Sequence, residues 1–512
     1  MRPRMAVRRP SLELAVELES VVNLVAAVVK YIALAFLFPA FLALGFGEPA
    51  WPFFAAAGIT FAAGFGVELL TTGKERVGVR EGFLVVALVW LVLPAVGAIP
   101  YFLAGEGQLA HPLSAFFESV SGFTATGATV LGDVDFLQLN KSMAMWRQFT
   151  QWLGGMGILM LAIVVLPRLS VGGRQLLHSE LAGPTELERL TSSIRETARQ
   201  LWLFYVGLTA LAVLVLSVVG WSGLDPAMDV YDAAAHAFTT VALGGFSTEP
   251  NSLAAFGPAT QWAVIAFVLL AGMNFLRLYR AFVQRRPLQA ARDDEIRLYL
   301  ILLAVGSGLL FIELSVSGIL SGEKAIRHAV FEAVSTMTTA GYASADYTKW
   351  GGLAALTLLV LMFIGASAGS TGGSLKVVRH LLIGRVLRRE LVQAVHREAV
   401  LPVRLSGAAV DERILRSVAA FVVFYLVVFA LGSIGLVVES RRGGIDVTAF
   451  EAIGAAAATL GNVGPAFGFA GPFGSYAPFS DISKGILIGL MWLGRLEIIP
   501  VLVLLTRSYW RN

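Results

Sequence analysis

The stretch at residues 121–129 constrains this chain most, because it is rich in glycine, threonine and serine yet lies between two long apolar runs. Irregular backbone cannot face lipid, since nothing in the hydrocarbon satisfies its N–H and C=O groups. At membrane depth, such a segment must line a polar cavity or lie buried in protein. The stretch therefore predicts a membrane protein with a polar centre.

Composition agrees with a membrane class. The chain has 512 residues, of which 56% are hydrophobic and 14% charged, whereas a soluble domain carries about 25% charged residues. It contains no cysteine, which excludes disulfides, thiolate chemistry and cysteine metal sites. The net charge of +4 is too small to indicate nucleic-acid binding.

Two apolar runs, near 21–46 and 50–70, begin the membrane region. Each is long enough to span a bilayer, and the first is too long for the core of a signal peptide. We therefore predict two leading transmembrane helices. Basic residues before the first run and between 71 and 80 place both of those segments in the cytoplasm by the positive-inside rule.

A unit of apolar span, short amphipathic segment, Gly/Thr-rich loop and second span then repeats four times. The paired spans are predicted near 81–104 and 146–167, 200–221 and 258–278, 296–319 and 353–385, and 413–438 and 483–506, which gives ten spans in all. Basic residues follow every second span, so each unit begins and ends in the cytoplasm. We expect an all-α integral membrane fold with four parallel repeats around a pseudo-fourfold pore, divided at 1–80, 81–170, 171–280, 281–390 and 391–512.

Each loop has a glycine that follows an aromatic–acidic pair. The predicted central glycines, each with its preceding residue, are Thr126-Gly127, Leu243-Gly244, Ala340-Gly341 and Val463-Gly464. The acids are Glu118, Asp232, Glu332 and Glu451, which lie 9, 12, 9 and 13 residues before the glycine and are favoured at a helix start by the dipole. Glycine permits a positive φ, so loop carbonyls can turn to one axis and replace the hydration shell of a cation. The eight loop residues are the predicted filter; the alternative is glycine used only for close helix packing.

The second span of the third unit is interrupted at 365–374 by ten small residues, four of them glycine. Glycine costs about 1 kcal/mol per residue in a helix, so this run predicts an unwound segment beside a pore, with close packing as the alternative. It lacks the Gly-Lys-Ser/Thr of a phosphate loop. Arg495 is an ionisable residue in the last span and therefore a functional candidate. The alternative is a buried ion pair, although Glu497 does not share its helix face.

These motifs together resemble the bacterial Trk/Ktr/HKT superfamily of potassium uptake proteins, and the Trk branch (TrkH-like) in particular. The matching stretches are 147–157, 369–373, 460–465 and 493–497, together with the extra leading helix pair. The resemblance implies potassium-selective passage through a single-chain filter, since glycine at all four filter positions is typical of potassium preference. Leu243 and Ala340 depart from the threonine that is commoner there. The resemblance also implies an intramembrane gating loop formed by Gly369, Ser370, Thr371, Gly372 and Gly373, with Arg495 beside it.

The same resemblance implies a homodimer in the bacterial inner membrane, with cytoplasmic termini and a cytosolic nucleotide-binding ring protein (TrkA-like) as regulator. Basic loops at 168–199, 279–297 and 379–412 are candidates for docking that regulator or for binding anionic lipid. A cation-coupled carrier of a small solute is the alternative function. It would need paired charges or inverted broken helices, and the sequence shows one clear break. No cofactor and no enzymatic activity are predicted; potassium is the expected substrate.

Overall fold

A computed structural model describes residues 16–71, 78–105, 107–164, 194–285 and 293–511. Within these ranges the regular structure is helical, apart from one antiparallel pair of two-residue strands, β1 (Arg404–Leu405) and β2 (Ala408–Ala409). The predicted all-α class is confirmed. Some predictions lie outside the described residues. They are the basic residues near the N-terminus, at 72–77 and at 168–193, and the boundary between residues 170 and 171. The division into five segments stays a prediction.

The two leading spans are confirmed. The first consists of helix Leu18–Ile32, a 3₁₀ turn Ala33–Phe36 and helix Leu37–Phe46, and the second is Trp51–Leu70. A Cβ atom on Gly64 would overlap the backbone of Lys30, so the two spans approach closely at that point. The Asn23 amide donates to the carbonyl of Thr71 (3.0 Å), and Lys30 pairs with Glu68. Asn23, Lys30 and Glu68 thus find polar partners within the protein, as a lipid environment favours.

Each of the four repeats contributes an outer helix, a short pore helix and an inner helix. The outer helices are Val79–Gly97 (continued by Ile99–Ala104), Ile194–Trp221, Asp294–Val316 and Glu412–Arg442. The pore helices are Pro112–Phe123, Val230–Ala242, Gly322–Met337 and Ala449–Leu460. The inner helices are Lys141–Val164, Pro258–Ala271 with Phe275–Phe282, Gly352–Ile364 with Val377–Val395, and Asp481–Arg495 with Ile499–Leu504.

Short elements complete the described chain. They are the helices Asp133–Gln138 and Arg507–Trp510 and the 3₁₀ turns Gly107–Ala110, Ser252–Ala255, Tyr347–Lys349 and Gly468–Ala470. Most of them lie in the segments that connect a pore helix with its neighbours. The four pore helices lie at the centre of the fold.

The exposure of side chains increases from the centre of the fold to its outer helices. Outer helices expose large apolar side chains, such as Leu203 (64%), Val316 (81%) and Leu431 (65%), as expected of surfaces that face lipid. The pore helices are instead enclosed by the rest of the protein. In the fourth of them, every residue of Gly454–Leu460 is buried. Six described helices are long and apolar enough to cross a membrane, and a seventh span is formed if the bent pair in repeat two counts as one.

The four inner helices are the predicted spans that are not among the six: the first, Lys141–Val164, is continuous, and the other three are broken. In the described residues, three of the four are interrupted, where the sequence indicated one break. The breaks divide apolar runs into pieces too short to cross a membrane. All three lie close to the pore helices, and they are described with the site below.

Candidate ion filter and gate

Each pore helix ends in the same backbone turn. A residue of positive φ follows the helix, the next residue donates its N–H to the carbonyl five positions earlier, and a glycine of positive φ comes after it. The first residues of the turn are Ala125 (50°), Leu243 (54°), Thr339 (63°) and Asn462 (53°). The donors are Thr126, Gly244, Ala340 and Val463, at 2.7–2.9 Å. The glycines are Gly127 (85°), Gly245 (81°), Gly341 (71°) and Gly464 (101°).

The second loop therefore begins one residue later than the sequence suggests. The sequence predicts Gly244 as its central glycine and Leu243 as the counterpart of Thr126. In the structure, Gly245 is the counterpart of Gly127. Gly244 takes the place of Thr126, as its hydrogen bond to the pore helix shows. The position of each loop residue is set by its hydrogen bond to the last turn of the pore helix. A Gly-Gly pair in the sequence does not show which glycine makes that bond.

The four loops close into one ring. Each positive-φ glycine lies so close to the next loop that a Cβ atom would overlap a carbonyl oxygen there, always that of the residue before the next glycine. The pairs are Gly127 with Gly244, Gly245 with Ala340, Gly341 with Val463, and Gly464 with Thr126. The order runs through repeats one, two, three and four and returns to one. The structure thus brings all eight predicted filter residues together and adds Gly245; that they bind potassium stays a prediction.

Two buried carboxylates brace loops one and three. Glu118 accepts from the Val130 N–H (2.9 Å) and pairs with Arg147 (2.7 Å), and these two charged side chains are at most 1% exposed. Glu332 accepts from the Ser344 N–H (2.6 Å) and is fully buried. Val130 and Ser344 stand at the same distance after their loop glycines. Repeats one and three therefore hold their loops by the same contact.

Repeats two and four differ from this pattern. His236 occupies the position of those carboxylates in repeat two, and its Nε2 lies 2.9 Å from the Ser247 hydroxyl. The predicted acid Asp232 lies in the first helical turn and accepts from Thr248 Oγ1 (2.6 Å). Glu451 also lies in the first turn, where it caps its own helix. The four acids thus form two classes, and only those of repeats two and four sit at a helix start, where the dipole favours them.

The predicted break in the third inner helix is present between Ile364 and Val377. This segment lies against the ends of the pore helices: Thr371 Oγ1 donates to the Val241 carbonyl (3.1 Å), and the Gly373 N–H donates to Thr339 Oγ1 (2.8 Å). The predicted gate residues Gly369, Ser370, Thr371, Gly372 and Gly373 are all buried there. Because Thr339 begins the turn of loop three, the break is hydrogen-bonded directly to the ring.

Arg495 lies beside this segment, as the resemblance implies. Its Nη1 donates to the carbonyl of Thr371 (2.8 Å) and its Nη2 to that of Gly154 on the first inner helix (3.2 Å). The side chain is 3% exposed. The sequence places Arg495 near the middle of a continuous span, whereas the structure ends the helix Asp481–Arg495 at this residue.

Glu497 is the counter-ion of other basic residues. Its carboxylate pairs with Lys376 (2.8 Å) and Arg379 (2.6 Å) at the end of the third-repeat break. Glu497 and Ile498 both have a positive φ (57° and 55°), which interrupts the last inner helix before Ile499–Leu504. Consecutive positive-φ residues cannot continue a right-handed helix, so this second break follows from the local backbone.

A third break, which the sequence prediction missed, lies in the second inner helix. Pro258–Ala271 and Phe275–Phe282 meet at an angle of 106°. The Asn274 side chain accepts from two N–H groups of the second piece and donates to the Ala368 carbonyl (2.7 Å). The Ser367 N–H donates to the Gly272 carbonyl (2.9 Å). Asn274 thus caps the second piece of its helix and bonds the break of the third inner helix at Ala368. The Gly-Met-Asn sequence at 272–274 is the signal that could have indicated this break.

Comparison with known proteins places the chain in a family. Residues 52–511 match the TrkH family model, which is described as a cation transport protein. This chain belongs to the TrkH family. It is 39% identical to the Trk system potassium uptake protein TrkH of Halomonas elongata over 93% of this chain and 95% of that protein. Its identity to the protein of the same name from Escherichia coli K12 is 38%, over 86% and 88%.

A solved TrkH-family structure shares the fold. The crystal structure of the potassium transporter TrkH from Vibrio parahaemolyticus matches with a TM-score of 0.85 at 32% identity, and the match covers 97% of this chain and 100% of that one. The predicted family and fold are therefore confirmed. The chain is a multi-pass membrane protein, and its relatives are named as parts of a Trk system.

In this member of the TrkH family, an open cavity of about 270 Å³ adjoins the ring. Gly127, Gly245 and Gly341 line it on the ring side, and Asp133 and Glu249 are among the other lining residues. Residues 369–373 are absent from this lining. The cavity and that segment therefore contact different parts of the four-loop ring.

Proposed function

We propose that this chain conducts potassium ions across the bacterial inner membrane through the four-loop ring, with one pathway per chain. The closed ring of positive-φ glycines carries the proposal. Glycine at these positions lets neighbouring loops approach until only backbone separates them, and backbone carbonyl oxygens are the groups that replace the water around potassium. The relatives are named for potassium uptake.

We assign potassium coordination to main-chain oxygens of the ring. The residues concerned are Thr126, Gly127, Gly244, Gly245, Ala340, Gly341, Val463 and Gly464. Leu243 stands one position earlier than predicted from the sequence, and we assign it a role in forming the turn. Since the residues before the glycines differ in side chain but share their backbone turn, the proposed ligands are backbone atoms.

We assign the gate to residues 369–373. Those residues are buried and hydrogen-bonded to the ends of pore helices two and three, and Arg495 bonds the segment to the first inner helix. Closure then consists of a loop held across the ion path, and opening consists of its displacement. The positive charge of Arg495 adds an electrostatic barrier to cations at the same place.

The proposal extends to partners and orientation. Both termini are cytoplasmic, the protein is a homodimer, and a TrkA-like nucleotide-binding ring protein docks on the basic cytoplasmic segments, which also contact anionic lipid. The transport requires no cofactor and no covalent chemistry. We do not favour the solute carrier, because its inverted repeats would not present four loops to one ring in cyclic order.

Ion flux into liposomes tests the function. Purified protein is reconstituted, and potassium, rubidium, sodium and lithium uptake are measured side by side against protein-free vesicles. We expect potassium and rubidium to enter faster than sodium and lithium. Equal uptake of all four ions would refute selectivity, and saturable uptake of an organic solute would favour the carrier.

A further inference from the structure

Gln151, on the first inner helix, holds the second loop from the neighbouring repeat. Its side chain is fully buried. Its Nε2 donates to the Gly244 carbonyl (2.6 Å), and its Oε1 accepts from the Phe246 N–H (3.1 Å). The two contacts bracket Gly245. One amide therefore fixes the backbone on both sides of the loop glycine.

The carbonyl that Gln151 holds is one of the four that close the ring. The corresponding oxygens of Thr126, Ala340 and Val463 accept no hydrogen bond from the described residues. Among the described contacts, the Gly244 oxygen is thus the one in this set that accepts from a side chain. A carbonyl that accepts from a donor is restrained in direction, and the coordinating carbonyls determine which cation a filter favours.

The same contact explains why loop two has glycine where the other loops have threonine, alanine or valine. A Cβ atom on Gly244 would overlap the amide oxygen and carbon of Gln151. Gly244 does not have a positive φ, so its backbone conformation does not require glycine. Glycine is required there because a side chain would occupy the space that the Gln151 amide fills. Gln151 and Gly244 are therefore a matched pair formed across two repeats.

We propose that Gln151 is a positioning residue for ion selectivity, which acts by fixing the Gly244 carbonyl in the ring. The inference rests on the proposed potassium function. The donor and the acceptor of the Gln151 amide together set the tilt of the peptide groups around Gly245. Without it, loop two keeps its turn but its oxygen is free to approach a smaller ion.

Two substitutions at this position separate its contacts. Gln151→Leu removes both hydrogen bonds, and Gln151→Glu keeps an acceptor for Phe246 but replaces the donor to Gly244. Gln148→Leu is the matched control, because Gln148 lies on the same helix, is fully buried and has no hydrogen-bond partner among the described residues. Each variant is reconstituted in liposomes, and folding is checked by size-exclusion profile and thermal unfolding.

We expect the potassium-to-sodium flux ratio to fall roughly two- to tenfold in both Gln151 variants, because both lose the hydrogen bond to the Gly244 carbonyl and one neutral hydrogen bond implies a change of that size. The Gln148→Leu ratio should equal that of the wild type. Gly244→Ala should lower potassium flux, and adding Gln151→Ala should restore part of it, because the smaller side chain makes room for the methyl group.

The outcomes separate this inference from the proposed function. If the wild-type protein conducts potassium selectively but a folded Gln151 variant keeps the wild-type ratio, the positioning role is wrong. If neither single variant folds, the Gly244→Ala pair decides, and absence of any restoration overturns the inference. A wild-type protein without potassium flux would instead refute the function itself.

Discussion

Replacing Arg495 with alanine should open the pathway. Arg495 makes one charged hydrogen bond to the gating segment, at Thr371, and a second to Gly154 on the first inner helix. A hydrogen bond to a charged group contributes about 1.5–3 kcal/mol. If the Thr371 contact holds the segment closed, its loss shifts the closed-to-open equilibrium by about tenfold to about a hundredfold, since 1.4 kcal/mol is a factor of ten.

The assay is potassium flux in liposomes at matched protein density. Arg495→Ala should raise the initial rate within that range. Arg495→Lys keeps the charge but presents a single ammonium in place of two separated N–H groups, so we expect an intermediate rate. If the lysine variant equals the wild type, the charge alone forms the barrier and the hydrogen bonds do not contribute.

The decisive comparison is the alanine variant. An unchanged or lower flux from folded protein would show that Arg495 does not restrain the gate and would leave the residue with a structural role only. A deletion tests the segment itself. Shortening residues 365–374 should raise flux as well, and a silent deletion would leave the segment with only a packing role.

Three further perturbations test the ring, its brace and the second break. Gly341→Ala should abolish selective potassium flux because its methyl group would overlap the next loop, whereas Gly308→Ala, whose Cβ would meet nothing within 4 Å, should conduct as the wild type; flux assays compare them. Arg147→Leu should destabilise the protein by about 3–5 kcal/mol, because it leaves the Glu118 carboxylate buried without its partner; a thermal midpoint equal to that of the wild type contradicts this. Asn274→Ala removes a helix cap, which contributes about 0.5–2 kcal/mol, together with a bond to Ala368, directly before the proposed gate, so potassium flux should rise; reduced flux from stable protein would oppose the link between that break and the gate.

Much of the fold could be read from local sequence. The leading spans were predicted within a few residues, because a run of apolar side chains is sufficient to define a membrane helix. The break at 365–374 was visible for the opposite reason, since clustered glycine disfavours a helix. The break at Asn274 was weaker in the sequence, because one glycine and one asparagine do not by themselves stop an apolar helix.

The alignment of the second loop with the other three shows what local sequence cannot predict. Gly244 and Gly245 are chemically identical neighbours, so composition cannot decide which one carries the positive φ. The hydrogen bond from Gly244 to the last turn of the pore helix decides it. Likewise, Glu118 and Asp232 look equivalent in sequence, yet one braces a loop beside Arg147 while the other lies at a helix start.

The sequence by itself determined the membrane class, the four repeats, the glycine-bearing loops and the family, because each is encoded in residues close together along the chain. Only the tertiary structure decided which glycine closes the second loop, which carbonyl Gln151 holds, and which segment Arg495 bonds. The first depends on a hydrogen bond between loop two and the end of its own pore helix, and the other two depend on groups from different repeats meeting at hydrogen-bond distance. Such distances are set by the packing of whole helices, which no local stretch of sequence specifies.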